Sequence, residues 1–292
     1  MRIEMYKKII TMTAWRRPDY TRNVIDNLKK CIGFEEYTLL PTIEPGYPEV
    51  LKIFDELPNC EVIVNDKVLG CGTNTFKSLQ RGFSISDFVI HLEDDTVPGI
   101  DSLKYFEWIY KKYKDDREIF TGTAYNNVKK INPRNYFTVY RSPWFLPWMW
   151  CTWQDRFEEM KGEWNFGSWD VDLNVRTRKN RYEICPYIPR SQNIGEYLGT
   201  YNNPDYWRRN QYNPIWVNNA PNISFENLTY TELSNIDDTK RFVTEGYKNV
   251  LNRDPDVGGF AHYVKEIFSE RISRERFLEI LRTSKEHKII FG

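Results

Sequence analysis

The sequence has no surplus of charge of either sign, with 41 Lys and Arg against 41 Asp and Glu. Without a sequence-wide basic field nothing holds a nucleic-acid backbone, which excludes a general DNA or RNA coat protein. No stretch approaches the roughly 20 consecutive apolar residues of a membrane span. There is no CxxC pair, and the five cysteines (Cys31, Cys60, Cys71, Cys151 and Cys185) are odd in number and scattered. That pattern fits reduced thiols rather than a disulfide frame or a zinc site. The sequons at Asn222 and Asn227 are then expected to be unused. The opening residues, MRIEMYKKIITMTAW, lack the apolar run and small-residue cleavage site of a secretory signal and lead directly into a strand pattern, so a cytoplasmic location is expected. Internal repeats and low-complexity tracts are also missing.

What is present is a globular composition, 40% hydrophobic and 28% charged over 292 residues, enough for one full core and a small second unit. Aromatic residues make up 16%, and twelve of them fall between Tyr136 and Trp169, including six of the ten tryptophans (Trp144, Trp148, Trp150, Trp153, Trp164 and Trp169). Indoles at this density serve either as an aromatic-rich core beneath a sheet or as a platform on which the apolar C–H faces of sugar rings stack. On the second reading Trp144, Trp148, Trp153 and Trp169 form an acceptor platform.

The run KIITMTAW from Lys8 is a β-branched strand pattern, and RRPDYTRNVIDNLKKC behind it places Tyr20, Val24 and Leu28 at helical spacing. A second strand follows in YTLLPTIEPG, a second helix in YPEVLKIFDEL and a third strand in CEVIVND. GCGTNTFKSLQRGF is a Gly-rich turn feeding a helix; Gly70, Gly72 and Asn74 read first as a turn and, by position, as a loop bordering a ligand. DFVIHLEDDTVPG is an apolar strand running into three acids. Strands alternating with helices through short links predict an α/β fold with a largely parallel sheet covered on both faces. Ligands then sit beyond the carboxyl ends of the strands, at Trp15-Arg16-Arg17, Glu44, Asn65-Asp66 and Glu93-Asp94-Asp95.

A helix at roughly 100–114 and an apolar piece at 119–126 precede the aromatic stretch, in which a helix is expected from about Cys151 to Met160. Residues 1–200 are read as the catalytic domain, 201–237 as a wrapping arm or linker, and 238–292 as a module of three amphipathic helices with a capping Ser273.

Glu93-Asp94-Asp95 is the sharpest chemical signal. Successive acids at a strand end repel one another and are best tolerated beside a cation, most simply Mn2+ or Mg2+, which keep waters and substrate oxygens as further ligands. That points to a nucleotide-activated substrate. The alternative is an acidic loop with a capping role, which Asp101 already fills.

The segments ITMTAWRRPDYTRNVIDNL, LGCGTNTFKSLQRGF, FVIHLEDDTVPGIDSLKYFEWI and TGTAYN resemble, in this order, the GT-A glycosyltransferases, and most of all the N-acetylglucosaminyltransferase I type with its Glu-Asp-Asp triplet. The likeness continues through RSPWFLPWMWCTWQDRFEEMKGEWNFGSWDVDL to YEICPYIPRSQNIG, covering about residues 8–200. It implies Asp95 as the metal ligand, Asp94 and Glu93 toward the ribose and donor sugar, Arg16 near the nucleotide and Asp66 near the base. No histidine serves as a second ligand, since His91 lies in the strand and His262 and His287 in the distal module. Inverting transfer needs a carboxylate to take the proton of the attacking hydroxyl. The resemblance places it at Asp170, with Asp172 in reserve; the alternative is that Asp170 only caps a helix. Arg176, Arg178, Lys179 and Arg181 read as a solvated helix face, unless one of them or Arg190 neutralises the departing diphosphate.

The C-terminal stretch from Phe242, with Tyr247, Leu251, Arg253, Pro255, Asp256, Gly259, Tyr263 and Ser284-Lys285-Glu286, resembles a helical module of unknown function found on bacterial surface proteins and glycosyltransferases. These residues read as core and turn, and the module is expected to pack on the catalytic domain or on another copy. The expectation is a metal-dependent, inverting glycosyltransferase taking a nucleotide-diphosphate sugar, a UDP-sugar foremost, to a glycan or other hydroxyl acceptor. The rival readings are a non-catalytic carbohydrate-binding protein, which has no need of Asp170, and a nucleotidyltransferase, which needs a Gly-rich triphosphate loop where TAWRRPDY has no glycine.

Overall fold

The computed structural model describes residues 6–126, 136–199, 203–212, 216–219, 225, 228–232, 236–268 and 271–291. The sequons at Asn222 and Asn227 lie outside them.

Strand β1 (Ile9–Ala14) leads to α1 (Pro18–Leu28), and β2 (Thr38–Ile43) to α2 (Pro48–Phe54). Both helices open on a proline, which loses nothing at a first turn whose N–H has no helical partner. Then come β3 (Ile63–Val64), α3 (Cys71–Phe83), β4 (Phe88–Glu93), β5 (Thr96–Pro98), α4 (Ser102–Tyr113) and β6 (Ile119–Thr123). The aromatic stretch carries β7 (Thr138–Ser142), β8 (Trp150–Trp153) and α5 (Gln154–Glu163), and is followed by α6 (Trp169–Asp172), which widens into a π turn over Leu173–Thr177. Next are β9 (Tyr182–Pro186), β10 (Ser191–Asn193), α7 (Pro204–Asn210), β11 (Thr231–Glu232) and the helices α8 (Ile236–Leu251), α9 (Val257–Phe268), α10 (Arg274–Thr283) and α11 (Lys285–Phe291).

Among the described residues nine strands form one sheet in the order β11-β7-β9-β6-β8-β4-β1-β2-β3. The run from β3 to β4 is parallel, β6 pairs parallel with β9, and β8 lies antiparallel between β4 and β6. Strands β5 and β10 form a separate antiparallel ribbon. The expected α/β class is therefore observed. Alternation along the strands sets the two faces. Ile10, Met12, Phe88, Ile90 and Leu92 pack with Val24, Ile25 and Leu28 of α1, Ile53 and Phe54 of α2 and Leu103 and Phe106 of α4. Ile9, Leu40 and Val89 pack on the other face with Leu79 and Phe83 of α3 and Phe157 and Met160 of α5.

Two expectations need correction here. The helix read from Cys151 begins at Gln154, because Trp150–Trp153 is a buried inner strand, and a strand buried on both faces shows no alternation to read. Among the described residues the C-terminal unit has four helices rather than three. It has its own core, with Val243, Tyr247, Val264, Phe277 and Leu281 buried together. Ser273 caps α10 as expected, accepting from Arg276 N at 3.1 Å. The unit also sits on the sheet: Phe268 packs on Tyr140 at 4.8 Å between ring centroids, beside Leu146, Trp144 and Trp148, and Arg271 Nη2 donates to Asn126 Oδ1 at 3.3 Å. Among the described residues no helix is long and apolar enough to cross a membrane.

Candidate active site

Because β1 and β4 run parallel with Thr13 opposite Glu93, the loops that leave them diverge from one edge of the sheet. Those loops hold each other. Arg17 Nη1 donates to Asp95 Oδ2 at 2.8 Å, its Nη2 pairs with Asp94 Oδ1, and Trp15 N donates to Asp94 Oδ2 at 3.2 Å. Asp94 is 4% and Asp95 7% exposed. Burial alone would lower the Arg17 pKa, but the Asp95 and Asp94 charges reverse that and keep the guanidinium firmly protonated. Burial, reinforced by the neighbouring Asp95 charge, pushes the Glu93 carboxyl up to about 8. Burial also raises Asp94, against the opposing pull of Arg17.

The second wall is built on α3. Gly70 takes a φ of 81°, a conformation that favours glycine, and its N–H donates to Glu44 Oε1 at 2.8 Å. Glu44, buried at the end of β2, also accepts from Leu69 N and from Asn65 Nδ2, while Asn74 Nδ2 ties α3 to Thr42 O at 3.1 Å. A Cβ at Gly72 would collide with the carbonyl oxygen of Phe166, and Trp164 Nε1 donates to Gly72 O at 3.2 Å. These contacts clamp residues 164–168 onto the start of α3. They bring Asp170 to the acid triplet, close enough that its charge adds to the rise at Glu93. Cys71 is exposed, with its Sγ 3.9 Å from Glu93 Oε1.

A third segment covers the acids. Ile194 N donates to Asp95 O at 2.8 Å, and a Cβ on Gly195 would collide with Asp95 Oδ2. The same strap is tied to the β1–α1 side by Arg16 Nη2 to Leu198 O at 3.3 Å and Tyr197 N to Tyr20 OH at 3.2 Å. Neither Arg17 nor Gly195 was singled out as a site residue from the sequence. The dipeptide Arg16-Arg17 at a strand end was the available signal for the first; the second lies far along the chain and has none.

Among the described residues no group of three or more His, Cys, Asp or Glu side chains converges to form a metal cage. The residues do fit a sparser site. Asp95 Oδ1 is buried and makes no hydrogen bond, leaving one carboxylate oxygen with unused capacity. An ion such as Mg2+ or Mn2+ that draws its remaining ligands from water and substrate phosphates needs little more from the protein.

Of the two candidate bases, Asp172 is satisfied locally, its Oδ2 accepting from Asn165 Nδ2 at 2.6 Å and Ser168 Oγ at 3.1 Å. The Asp170 carboxylate makes no hydrogen bond or ion pair among the described residues. Asp66 is exposed beyond β3, next to Asn65. Arg16 lies over the Trp15 ring at 4.4 Å.

Arg190 is a correction. It is 0% exposed, its Nε donates to Asp101 Oδ2 at 3.1 Å, and Tyr230 OH donates to the same oxygen at 2.8 Å. A guanidinium locked into a buried ion pair does not face a leaving diphosphate, and Asp101 is its partner rather than a side-chain cap. Arg178 is buried as well and donates to Asn174 O and Arg181 O, so the basic run is only partly a solvated face.

The acceptor platform is the second correction. Trp153 is 2% exposed, packed on Phe88 at 5.4 Å and under Arg156 at 4.5 Å. Trp169 is buried between Trp164 and Trp150, and Trp144 and Trp148 are half-buried beside Tyr125, Tyr140 and Phe268. Indoles bury more area than other side chains, and here that area is spent on the core. The aromatic rings left open near the acids are others: Phe166 and Tyr197, each 52% exposed.

Residues 222–291 match the family model described as Domain of unknown function (DUF4214), which covers the C-terminal helices and the edge strand β11 and leaves the other strands unmatched. A search of curated protein sequences finds no match. Among solved structures, the mannosyltransferase PcManGT from Pyrobaculum calidifontis in complex with GDP-Man and Mn2+ aligns over 99% of this chain and 77% of its own, at 9% identity and a TM-score of 0.48. S. aureus TarS aligns over 96% of this chain and 46% of its own at 12% identity and a TM-score of 0.46. S. aureus TarS 1-349 in complex with UDP aligns over 97% and 77% at 13% identity, again with a TM-score of 0.46. Likenesses of this degree carry no argument about this chain, whose reading rests on its own strands and side chains.

Proposed function

We propose that the protein is a metal-dependent, inverting glycosyltransferase of GT-A type that moves a sugar from a nucleotide-diphosphate sugar, foremost a UDP-sugar, to a hydroxyl of a glycan acceptor. One observation supports the reading: an acid triplet stands at the carboxyl end of β4, with Asp95 Oδ1 buried and unpaired and Glu93 within electrostatic reach of the separate carboxylate Asp170. A carbohydrate-binding protein needs neither the unpaired oxygen nor the second carboxylate.

In this reading Asp95 holds the metal and Asp94 and Glu93 face the ribose and donor sugar. Arg16 and Asp66 border the nucleotide, and Phe166 and Tyr197 face the acceptor in place of the four tryptophans. The metal, when bound, neutralises charge on the departing diphosphate. Asp170 takes the proton of the acceptor hydroxyl as its oxygen bonds to the anomeric carbon, and the bond from that carbon to the diphosphate oxygen breaks on the opposite face.

Thermal unfolding with a panel of nucleotide sugars and Mn2+ tests the donor site. A ligand at a hundredfold its dissociation constant is expected to stabilise by about 2.7 kcal/mol, and Asp95→Ala to remove the effect. Unchanged melting with every nucleotide sugar overturns the assignment.

A further inference from the structure

We propose that Arg17 is a built-in counter-cation of the acid pair and an internal competitor of the divalent ion, so that arrival of the metal frees its guanidinium for the donor diphosphate. This rests on the metal-dependent donor site proposed above. Asp94 is held twice, by Arg17 and by Trp15 N, and is anchored. Asp95 is held once, at Oδ2 by Arg17 Nη1 at 2.8 Å, with Oδ1 buried and unpaired. Two buried carboxylates thus share a single positive group.

A divalent ion that takes Asp95 shares that carboxylate with the guanidinium, and two cations on one small anion repel. Asp95 Oδ2 is closed on its other side by the backbone at Gly195, so the carboxylate does not turn freely to keep both. The side chain that gives way is the arginine, which reaches the pair from the loop before Pro18 and has the Tyr20 ring 5.4 Å from its guanidinium carbon as a remaining cation–π contact. Its planar fork, which now spans two carboxylates, has the same match to the oxygens of a diphosphate. Arg17 is on this account a positioning residue that couples metal binding to donor capture. Neighbouring Arg16 is engaged elsewhere, with Leu198 O.

The test uses the full chain. Mn2+ binding to the metal-free protein is followed by loss of the free-ion electron paramagnetic resonance signal, and UDP binding by calorimetry with and without Mn2+. Arg17→Met keeps an unbranched apolar stem without the charge. It is expected to bind Mn2+ alone at least tenfold more tightly than the wild type, and to lose most of the Mn2+-dependent gain in UDP affinity. Unchanged or weaker Mn2+ binding in Arg17→Met with cooperative unfolding overturns the inference, while wild-type Mn2+-dependent UDP binding leaves the donor site standing. Absence of Mn2+ binding in both proteins overturns the inference and the donor-site reading together. Should Arg17→Met fail to fold, Arg17→Lys decides: a point charge that does not span both acids should let Mn2+ bind severalfold more tightly, and wild-type affinity there overturns the inference.

Discussion

Trp164 and Trp169 stack with their ring centroids 5.1 Å apart and their planes 5° from parallel. Trp164 is bonded to the first turn of α3 and Trp169 precedes Asp170, so the stack transmits the position of α3 to the candidate base. Trp169→Ala should therefore act on the site as well as on stability. Removing a buried indole costs about 3–5 kcal/mol, and transfer should fall further than donor binding does. Denaturant unfolding together with separate measurements of transfer and UDP binding checks this; equal losses in transfer and binding would reduce the stack to a stabilising role.

Asp170→Asn should lower transfer by about 10²- to 10⁴-fold with donor binding nearly intact, the usual cost of losing a general base. Asp172→Asn should act on stability, through Asn165 and Ser168, and leave most of the rate. A folded, inactive Asp172→Asn beside an active Asp170→Asn would exchange the two roles.

His91 supplies a pH prediction away from the site. Burial lowers its pKa to about 3, and its Nδ1 lies 3.0 Å from Thr11 Oγ1. In the unfolded chain the ring titrates near 6.5. The folded value is the depressed one and the neutral form is the one that folds, so the stability it contributes is full above about 6.5 and drains as pH falls toward 3. Each pH unit in that window should cost about 1.4 kcal/mol on this account. His91→Gln retains a partner for Thr11 without the charge, and chemical unfolding from pH 7 to 5 should show a shallower loss in it. Identical slopes in the two proteins would refute the assignment.

Phe268 ties the C-terminal helices to the sheet through Tyr140 and Trp148. Phe268→Ala should cost on the order of 2–3 kcal/mol, below the full value for a phenylalanine because the ring is only half-buried. UDP binding should be preserved, since the sheet edge with the acids lies elsewhere. Loss of UDP binding in a folded Phe268→Ala protein would show that the helices shape the donor site.

The first hundred residues were legible because their strands alternate, their helices keep a 3.6-residue period, and Pro and Gly punctuate the links. The acid triplet announced itself as charge at the end of an apolar run. Residues 136–193 were not legible in the same way. Strand β8 is buried on both sides and carries no period, and tryptophan at high density has the same sequence signature whether it lines a groove or fills a core. Arg190 and Arg17 show the limit for charges. Both are arginines next to polar loops, yet one is sealed against Asp101 and the other lies on the acids, a difference made by tertiary contacts with residues 89 and 78 positions away. Between Asp170 and Asp172 the sequence offered only position to choose by; that Asp172 is engaged by Asn165 and Ser168 appears only in the fold.

Strand β8 also sets the order in which the sheet is completed. One half, β3-β2-β1-β4, is contained within residues 9–93, and the other, β6-β9-β7-β11, is spread from 119 to 232. The join between them is four residues long, Trp150–Trp153, and it pairs backward with both halves at once. Until that segment emerges from the ribosome, β4 presents an unsatisfied hydrogen-bonding edge beside the acid triplet. The contacts of β8 with β4 span more than fifty positions of chain, from Phe88–Trp153 to His91–Trp150, a separation expected to slow that pairing relative to formation of the first half. This topology predicts that the early half forms first and that the late half assembles on it, with the acid triplet in place on the sheet before Asp170.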